Sequence, residues 1–361
     1  MNAPFPRAGI LDIAPYQPGE SKIAGHARVI KLASNESALG PSPKVRDAIA
    51  GATDSLHLYP DSTAAELRAA LAEAHGLEAE RILCSNGSEE MIHMLARAYA
   101  GPGDEVLYSQ YGFIAYPIAA RAAGAAVVVA PERDYTTDPA ALLGAVTART
   151  RVLFLANPNN PTGTHISGES LRALHAALPP RVLLVVDEAY AEFADATDYE
   201  SALDLARSAG NVVVLRTFSK IYGLAALRVG WSYCPKSVID VLNRIRCTFN
   251  VTALSQVAAR AALADREHVE AARAHNARWR PWLAAALDAI GIATSPSLGN
   301  FLLAHFRDEE QARAADAHLR QDGIIVRPVA GYGLRHHLRI TVGREDENRA
   351  LVASFARFMG A

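Results

Sequence analysis

The chain has 361 residues, which is long for a single hydrophobic core and predicts about two domains. Half of the residues are apolar and a fifth are charged, which is the composition of an ordinary globular protein. A formal net charge of −2 creates no strong field for nucleic acid or an anionic membrane, so the composition argues against both as partners.

The first predicted helix follows the sequence LYPDS. Thr63 and Glu66 have the spacing of a capping box, residues 64–75 are rich in alanine and leucine, and Gly76 is a typical helix stop. Helical stretches then alternate with apolar runs that mostly lack polar alternation: RILCS, DEVLYS, AAVVVA, RVLFLA, RVLLVV, NVVVLR and RVGWSYC. Strands of that kind are buried on both faces. We therefore predict an α/β fold whose large domain has a mostly parallel seven-stranded sheet between helices.

The pattern changes at about residue 250, where long helices rich in alanine and arginine begin. Two or three further strands are predicted from NFLLAHF, GIIVRPV and HLRITVG, with one more helix between them, which indicates a smaller α+β domain. Residues 1–40 have no core of their own. We place an N-terminal arm at 1–40, the large domain at 41–245 and the small domain at 246–361.

Cysteines and histidines indicate no metal site. Cys84, Cys234 and Cys247 lack any ligand or redox spacing and are predicted to be reduced core thiols. The twelve histidines are scattered, and the adjacent His336 and His337 cannot share one helical face. The proline-rich N-terminus lacks the apolar run of a signal peptide, and no stretch approaches the length of a membrane span. We expect a cytoplasmic protein.

Polar residues follow five of the predicted strands in the large domain. In an open parallel sheet, ligands bind outside the carboxyl ends of the strands, so residues at those ends share one site. A carboxylate, a lysine, tyrosines, amides and small hydroxyls are therefore expected in a single cleft. The segments that supply them are residues 86–89, 110–112, 157–163, 187–190 and 217–220.

One end of this cleft is predicted to bind an anion. Gly87 and Ser88 open a helix whose free N–H groups and dipole favour negative charge, although an ordinary serine N-cap explains them equally well. Ser219 and Arg228 can add a hydroxyl and a guanidinium to the same anion. The chain has no GxxxxGK[ST] loop and no GxGxxG that opens a helix after a strand, so neither a nucleoside triphosphate nor a dinucleotide is favoured.

Asp187 and Lys220 indicate what else the ligand carries. A carboxylate after five apolar residues needs a cationic or donor partner, such as a protonated heterocyclic nitrogen; a strand-end cap or an internal ion pair is the alternative. Burial disfavours the ammonium form of Lys220 and gives a nucleophilic amine suited to a Schiff base, whereas the plain alternative is a loop-tip lysine in water. Pyridoxal 5′-phosphate satisfies the three features, because it has a phosphate, a ring nitrogen and an aldehyde.

The motifs NPNNPTG, VVDEAY and RTFSKIYGLAALRVGW, in this order and spacing, resemble those of fold type I pyridoxal-phosphate aminotransferases. KLASNES, LYPD, IIVRPVAGYGL and HLRITVG are similar to the histidinol-phosphate aminotransferase subfamily, and the resemblance runs from about residue 10 to the C-terminus. It implies that Lys220 carries the cofactor and then moves a proton between the substrate Cα and the cofactor C4′. Asp187 would keep the ring nitrogen protonated. Tyr190 and Asn160 would bind the ring hydroxyl oxygen, and Tyr111 would stack on the ring.

The resemblance also implies the remaining cofactor contacts. The phosphate would be held by Ser88, the backbone N–H of Glu89, Ser219 and Arg228. The family is dimeric with shared active sites, so Tyr59 would reach the cofactor phosphate of the partner subunit, and the arm would pack on the small domain and the partner. The sequence of Tyr59 and Pro60 alone, apart from the resemblance, indicates a simpler alternative, which is half-buried packing of the Tyr59 ring.

Substrate recognition rests on four further positions that resemble the family's: Arg339, Arg327, Tyr16 and Asn300. The two arginines would bind the substrate carboxylate or phosphate, with a solvated surface charge as the alternative for each. Two departures from the family are the sequence NESALG, in the arm over the active site, and Arg335 in GYGLRHHLRI, near the substrate arginines. We expect neither to touch the cofactor residues.

The resemblance implies transamination of L-histidinol phosphate with 2-oxoglutarate in histidine biosynthesis, giving imidazole acetol phosphate and glutamate by a ping-pong cycle. An aromatic amino acid aminotransferase, acting on phenylalanine or tyrosine, is the nearest alternative. A decarboxylase of a phosphorylated amino acid is less favoured, because the chain lacks a His-Gly-Gly stretch near the N-terminus. A regulator is disfavoured because the arm is too short for a helix-turn-helix.

Overall fold

The structure is a computed structural model that describes residues 4–15, 19–26 and 28–360. In these ranges the strands are, in chain order, β1 (Ile30–Lys31), β2 (Ile82–Ser85), β3 (Glu105–Ser109), β4 (Ala126–Ala130), β5 (Glu132–Arg133), β6 (Thr136–Thr137), β7 (Thr150–Ala156), β8 (Leu183–Asp187), β9 (Val212–Thr217), β10 (Gly230–Tyr233), β11 (Phe301–His305), β12 (Ile324–Ile325), β13 (Arg327–Pro328) and β14 (His337–Thr341). The α-helices are α1 (Pro43–Gly51), α2 (Ala65–His75), α3 (Ser88–Tyr99), α4 (Ala115–Ala123), α5 (Pro139–Gly144), α6 (Gly168–Ala177), α7 (Leu203–Ser208), α8 (Lys236–Ile245), α9 (Ala253–Ala264), α10 (Arg266–Asp288), α11 (Glu309–Gln321) and α12 (Glu345–Met359).

A mixed sheet of seven strands forms the centre of the large unit, in the order β2-β10-β9-β8-β7-β3-β4 within the described residues. Strands β3, β4, β7, β8 and β9 are parallel to one another, whereas β10 is antiparallel to both β2 and β9. Alternate residues of β7 enter different cores, with Val152 and Phe154 on one side and Leu153 and Leu155 on the other. Helices α3, α4 and α8 cover one side, and α2, α6 and α7 cover the other. The predicted fold class is confirmed.

Strand β4 is an exception to the prediction that these apolar runs are buried on both faces. It lies at the edge of the sheet and pairs with β3 alone. Val129 is 45% exposed, and Ala126 is also exposed. Apolar alternation could not reveal this, because the order of strands in the sheet depends on pairing and not on the composition of one strand.

Helix α2 begins differently from the prediction. The carboxylate of Asp61 accepts the backbone N–H of Thr63 at 2.8 Å and that of Ala65 at 2.7 Å. Ala64 precedes the helix with a left-handed φ of 49°. The predicted capping box at Thr63 is therefore wrong, because Ala64 is the N-cap and the Thr63 hydroxyl donates to Asp61.

The small unit contains an antiparallel sheet of β11, β14 and β13 covered by α10, α11 and α12. Its core includes Leu302, Ile340 and Phe355. Part of the N-terminal arm joins this unit: β1 pairs in parallel with β12, and Leu32 is 1% exposed in the same core. The arm thus runs along the small unit before it enters the large one.

The change from the large to the small core occurs later in the chain than residue 245. Helix α9 packs against α1 and α2, and its Ala258 and Ala262 belong to the large core. Helix α10 contributes Ala272 to the large core and Leu283 and Leu287 to the small one. The division at 245 stays a prediction, and we propose that the boundary lies within α10.

The thiols differ in their surroundings. Cys84 and Cys234 are buried, and burial raises the pKa of each to about 12. Cys247 is exposed in the loop after α8, so the prediction of a core thiol is wrong there.

Among the described residues, no group of three or more His, Cys, Asp or Glu side chains could hold a metal ion. No helix within the described ranges is long and apolar enough to cross a membrane.

Candidate active site

A cavity of about 290 Å³ lies where the carboxyl ends of β7, β8 and β9 meet the N-terminus of α3. Residues 33–36 of the arm close one side, and residues of β13 and β14 close another. The strand ends converge because the central strands are parallel. The sequence-predicted residues that line the cavity are Ser88, Glu89, Asn160, Asp187, Tyr190, Ser219, Lys220, Arg228, Arg327 and Arg339.

The N-terminus of α3 lies against β9 and the turn after it, and we call this recess the anion seat because a phosphate is predicted to bind there. Gly87 is the N-cap of this helix and has no side chain that could accept a hydrogen bond. The first N–H groups of α3 are therefore not bonded to a capping side chain. The alternative of a serine N-cap is therefore wrong, since Ser88 is the first helical residue. Arg228 Nη1 donates to Ser219 Oγ at 3.3 Å. A Cβ on Gly87 would lie 2.6 Å from Arg228 Nη2, so the seat closes tightly around the glycine.

Asp187 ends β8 with 6% of its surface exposed. The hydroxyl of Tyr116 donates to one carboxylate oxygen at 3.0 Å, and the N–H of Ala189 donates to the other at 3.2 Å. Burial raises the pKa of Asp187 to about 6, although these two donors oppose that shift. A buried carboxylate that faces a cavity is stabilised by a cationic N–H ligand, which a protonated ring nitrogen supplies.

Lys220 lies in the turn after β9 and is partly buried in the cavity wall. Its Nζ is 3.5 Å from the carbonyl oxygen of Ser34 and 5.5 Å from the ring centroid of Tyr190. Desolvation, together with the positive charge of Arg339, lowers the pKa of Lys220 to about 8. The alternative of a loop-tip lysine in water is wrong. Near neutral pH a useful fraction of this amine is uncharged and nucleophilic.

Arg339 and Arg327 occupy directly opposed positions on the antiparallel strands β14 and β13. Arg339 is 7% exposed, and its guanidinium donates to the carbonyl of Ala33 at 2.8 Å and to the side-chain oxygen of Asn160. Opposed residues of an antiparallel pair project from the same face, where like charges repel. An anionic group of the substrate bound between the two arginines would offset that repulsion.

Three predicted residues do not line this cavity. The ring of Tyr111 packs 5.9 Å from that of Tyr135, and Phe113 lines the cavity in its neighbourhood. Asn300 donates to the backbone carbonyls of Asn35 and Glu36, at 3.1 Å each, and so lies behind the wall. Their predicted roles in ring stacking and substrate binding stay predictions.

Tyr59 is the third, with 83% of its surface exposed, and its ring stacks on Phe249 at a centroid distance of 4.5 Å. Half-buried packing before Pro60 is therefore wrong, and its contact with a partner stays a prediction. Tyr16 lies outside the described residues.

Sequence reasoning missed the residues that support the site from behind. Tyr116 has no motif, because its position on α4 has the apolar spacing of an ordinary core residue. Arg216 on β9 is buried between Glu188 at 2.8 Å and Glu192 at 3.0 Å, and this ion triad holds the segment that follows Asp187. One signal in the sequence could have indicated the ion triad. Glu188 is a second carboxylate directly after Asp187 at the end of an apolar strand, and such a residue needs a cationic partner.

Comparisons with known proteins identify the class of protein. A family model described as aminotransferase class I and II matches residues 27–355. The sequence is 50% identical over 363 residues to a histidinol-phosphate aminotransferase of Paramagnetospirillum magneticum, covering 100% of both chains. It is 52% identical over 358 residues to one of Rhodospirillum rubrum, covering 99% of this chain and 97% of that one. The chain belongs to the class I and II aminotransferase family, as the sequence motifs predicted.

Solved structures agree with this assignment. The histidinol-phosphate aminotransferase of Sinorhizobium meliloti, in complex with pyridoxal 5′-phosphate, has a TM-score of 0.91 and 30% identity over 99% of each chain. An aspartate aminotransferase of Thermus thermophilus has a TM-score of 0.81 and 27% identity over 91% of each chain. The tight anion seat, the buried carboxylate and the amine of lowered pKa fit pyridoxal 5′-phosphate, which is the cofactor of this family.

Proposed function

We propose that this chain transfers the amino group of L-histidinol phosphate to 2-oxoglutarate, giving imidazole acetol phosphate and glutamate in histidine biosynthesis. The observation that carries the proposal is the opposed pair Arg327 and Arg339 in the cavity that also contains the cofactor residues. The full-length relatives of about half identity support it, and they do not favour the aromatic amino acid alternative. A cytoplasmic location belongs to the same proposal, and cell fractionation tests it.

Each cofactor residue has a role in this proposal. Pyridoxal 5′-phosphate, when bound, supplies the electron sink that makes the substrate Cα–H bond acidic. Lys220 Nζ takes the proton from Cα, because its lowered pKa leaves the amine partly uncharged near neutral pH. Asp187 would hold a proton on the ring nitrogen, and the Tyr190 hydroxyl would donate to the ring oxygen. The anion seat at Gly87 and Arg228 would hold the phosphate.

The two substrates share one chemical feature that the arginine pair can recognise. Histidinol phosphate has a phosphate and no carboxylate, whereas 2-oxoglutarate has two carboxylates. Guanidinium groups bind both kinds of anion with paired hydrogen bonds. Arg327 and Arg339 can therefore hold the phosphate of the amino donor in one half of the cycle and a carboxylate of the acceptor in the other.

Replacing Arg327 with alanine is expected to lower kcat/KM for histidinol phosphate by about 10- to 100-fold, because charge-assisted hydrogen bonds to the phosphate are lost. The reaction with phenylalanine should change by less than about threefold, since a plain amino acid needs chiefly Arg339. The measurement is the change in cofactor absorption when the holoenzyme is mixed with each donor.

The matched control is Arg335→Ala. The sequence placed Arg335 near the substrate arginines, but it is exposed, pairs with Glu309 at 3.5 Å and is not among the residues that line the cavity. It should leave both donors unaffected. Unchanged turnover of histidinol phosphate by the Arg327 variant would reject the phosphate assignment and leave the aromatic amino acid alternative.

We also propose that the protein is a homodimer. Exposed apolar residues cluster in two segments, 56–59 and 245–249, which the stack of Tyr59 on Phe249 joins. The large exposed side chains there are Leu56, Leu58, Tyr59, Ile245 and Phe249. Patches of this kind mark protein interfaces.

Replacing Phe249 with aspartate is expected to dissociate this dimer, because it buries a charge in the apolar contact. Sedimentation equilibrium should give twice the 38.6 kDa chain mass for the native protein and a value near one chain for the variant at micromolar concentration. Val129→Asp, on the exposed edge strand β4, introduces the same charge outside the patch and should leave the mass unchanged. A native protein that sediments as one chain would contradict the proposal.

A further inference from the structure

Asn35, in the sequence NESALG, contacts both units of the fold and lines the cavity from the arm, so the expectation that this sequence does not touch the cofactor residues is wrong. It is 1% exposed and has a left-handed φ of 53°. Its backbone carbonyl accepts a hydrogen bond from the side chain of Asn300 at 3.1 Å. A buried side-chain amide has few orientations available. Its hydrogen-bond partners show which way its oxygen and its nitrogen point.

Thr341 fixes which way the Asn35 amide faces. The backbone N–H of Asn35 donates to Thr341 Oγ1 at 2.9 Å. The same Thr341 hydroxyl, which accepts that hydrogen bond, donates its own hydrogen to Asn35 Oδ1 at 3.2 Å. With the amide oxygen turned to Thr341, the amide nitrogen faces the Tyr190 hydroxyl oxygen at 2.9 Å.

The direction of that last hydrogen bond constrains Tyr190. An amide nitrogen can only donate, so the Tyr190 oxygen must accept. The hydroxyl hydrogen of Tyr190 is therefore directed away from Asn35. Tyr190 is 4% exposed, its ring packs edge-on against Phe301 at 5.1 Å, and it lines the cavity.

We propose that Asn35 is a positioning residue that turns the hydroxyl hydrogen of Tyr190 into the cavity, towards the ring oxygen of the bound cofactor. This inference rests on the proposed function, because it requires pyridoxal 5′-phosphate in the cavity. Asn35 itself acts through Tyr190. Thr341 lies two residues from Arg339 on β14, so the same chain of hydrogen bonds connects the strand that binds substrate to the residue that binds the cofactor.

The test is the pH midpoint at which the visible absorption of the holoenzyme changes. A donor to the ring oxygen stabilises that oxygen as an anion, so its loss raises the pKa of the bound cofactor. Asn35→Gly removes the amide and tolerates the positive φ, and it is expected to raise the midpoint by about half to one pH unit. Tyr190→Phe should raise it at least as much.

The double variant separates positioning from a general structural effect. In the Tyr190→Phe background, Asn35→Gly should add less than about 0.2 pH unit, because the hydroxyl that it orients is gone. Thr341→Val, which releases the amide oxygen of Asn35, should give a smaller rise in the Tyr190 protein and serves if the glycine variant folds poorly. Asn211→Gly removes an asparagine side chain at the amino end of β9, far along the strand from the cavity, and should leave the midpoint unchanged.

Two outcomes would overturn the inference. One is an unchanged or lowered midpoint in both Asn35→Gly and Thr341→Val, and the other is a shift of full size in the Tyr190→Phe background. Failure of the proposed function is distinguishable from either. In that case the native protein would develop no visible band with pyridoxal 5′-phosphate, or the band would persist in a Lys220 variant.

Discussion

Replacing Lys220 with methionine is expected to lower kcat by at least about 10⁴-fold, because the proposed function makes this residue both the point of attachment for the cofactor and the base that moves the Cα proton. The same change should stabilise the cofactor-free protein. Lys220 has its pKa lowered to about 8 by burial and by Arg339, so its ammonium form is destabilised in the folded state. Removing it is expected to raise the free energy of unfolding at pH 7 by on the order of 2 kcal/mol.

The pH dependence of stability tests the same residue independently of activity. Because the pKa of Lys220 is lower in the folded state than in the unfolded one, the unfolded chain binds more protons between about pH 8 and pH 10.5. The free energy of unfolding should therefore rise with pH in this range in the native apoprotein, and this rise should be smaller in the methionine variant. Urea denaturation of both proteins at pH 7, 9 and 10.5 gives the comparison.

Lys236→Met is the matched control, since Lys236 is exposed at the start of α8. It should change neither turnover nor the pH dependence of unfolding. Turnover that survives in the Lys220 variant would refute the assignment of this lysine.

Replacing Asp187 with asparagine is expected to lower kcat/KM by about 10³-fold, because an amide cannot hold the proton on the ring nitrogen by its charge. The pKa of Asp187 is raised to about 6, so the folded state binds more protons than the unfolded one between about pH 4 and pH 6. Stability falls as pH rises through that window, and the cost remains at neutral pH. The asparagine variant should therefore lose activity without losing stability of the apoprotein.

Steady-state kinetics and urea denaturation at pH 5 and pH 7 test this prediction. Asp240→Asn removes the same charge from an exposed position on α8 and should leave both measurements unchanged. An Asp187→Asn enzyme within tenfold of the native kcat/KM would show that the carboxylate does not control the ring nitrogen.

The sequence was sufficient to place the residues at the strand ends. Asp187 and Lys220 could be assigned to one cleft because parallel strands bring their carboxyl ends to the same edge of a sheet. The partners of these residues could not be predicted in this way. Tyr116 is 71 residues from Asp187, and Asn35 is 155 residues from Tyr190, so each contact depends on how whole elements pack.

Local features failed for a related reason. The start of α2 depended on which of two good capping residues acts there: Asp61 accepts the N–H groups of Thr63 and Ala65, and the Thr63 hydroxyl donates to Asp61. The edge position of β4 depended on strand order, and the exposure of Cys247 depended on the loop after α8. Phe113, two residues after Tyr111, lines the cavity and was not predicted to do so, whereas the stacking role of Tyr111 stays a prediction.

The pairing of β1 with β12 has a consequence for the order in which the protein can become active. Residues 30–31 align with residues 324–325, and Asn35 is held by Thr341, so one wall of the cavity is made from segments that lie 306 residues apart at this hydrogen bond. A ribosome synthesises the arm long before it synthesises β14, the strand that fixes the arm. The sheet that carries Lys220 can form during synthesis, but the site that surrounds this lysine is complete only after β14 has been synthesised.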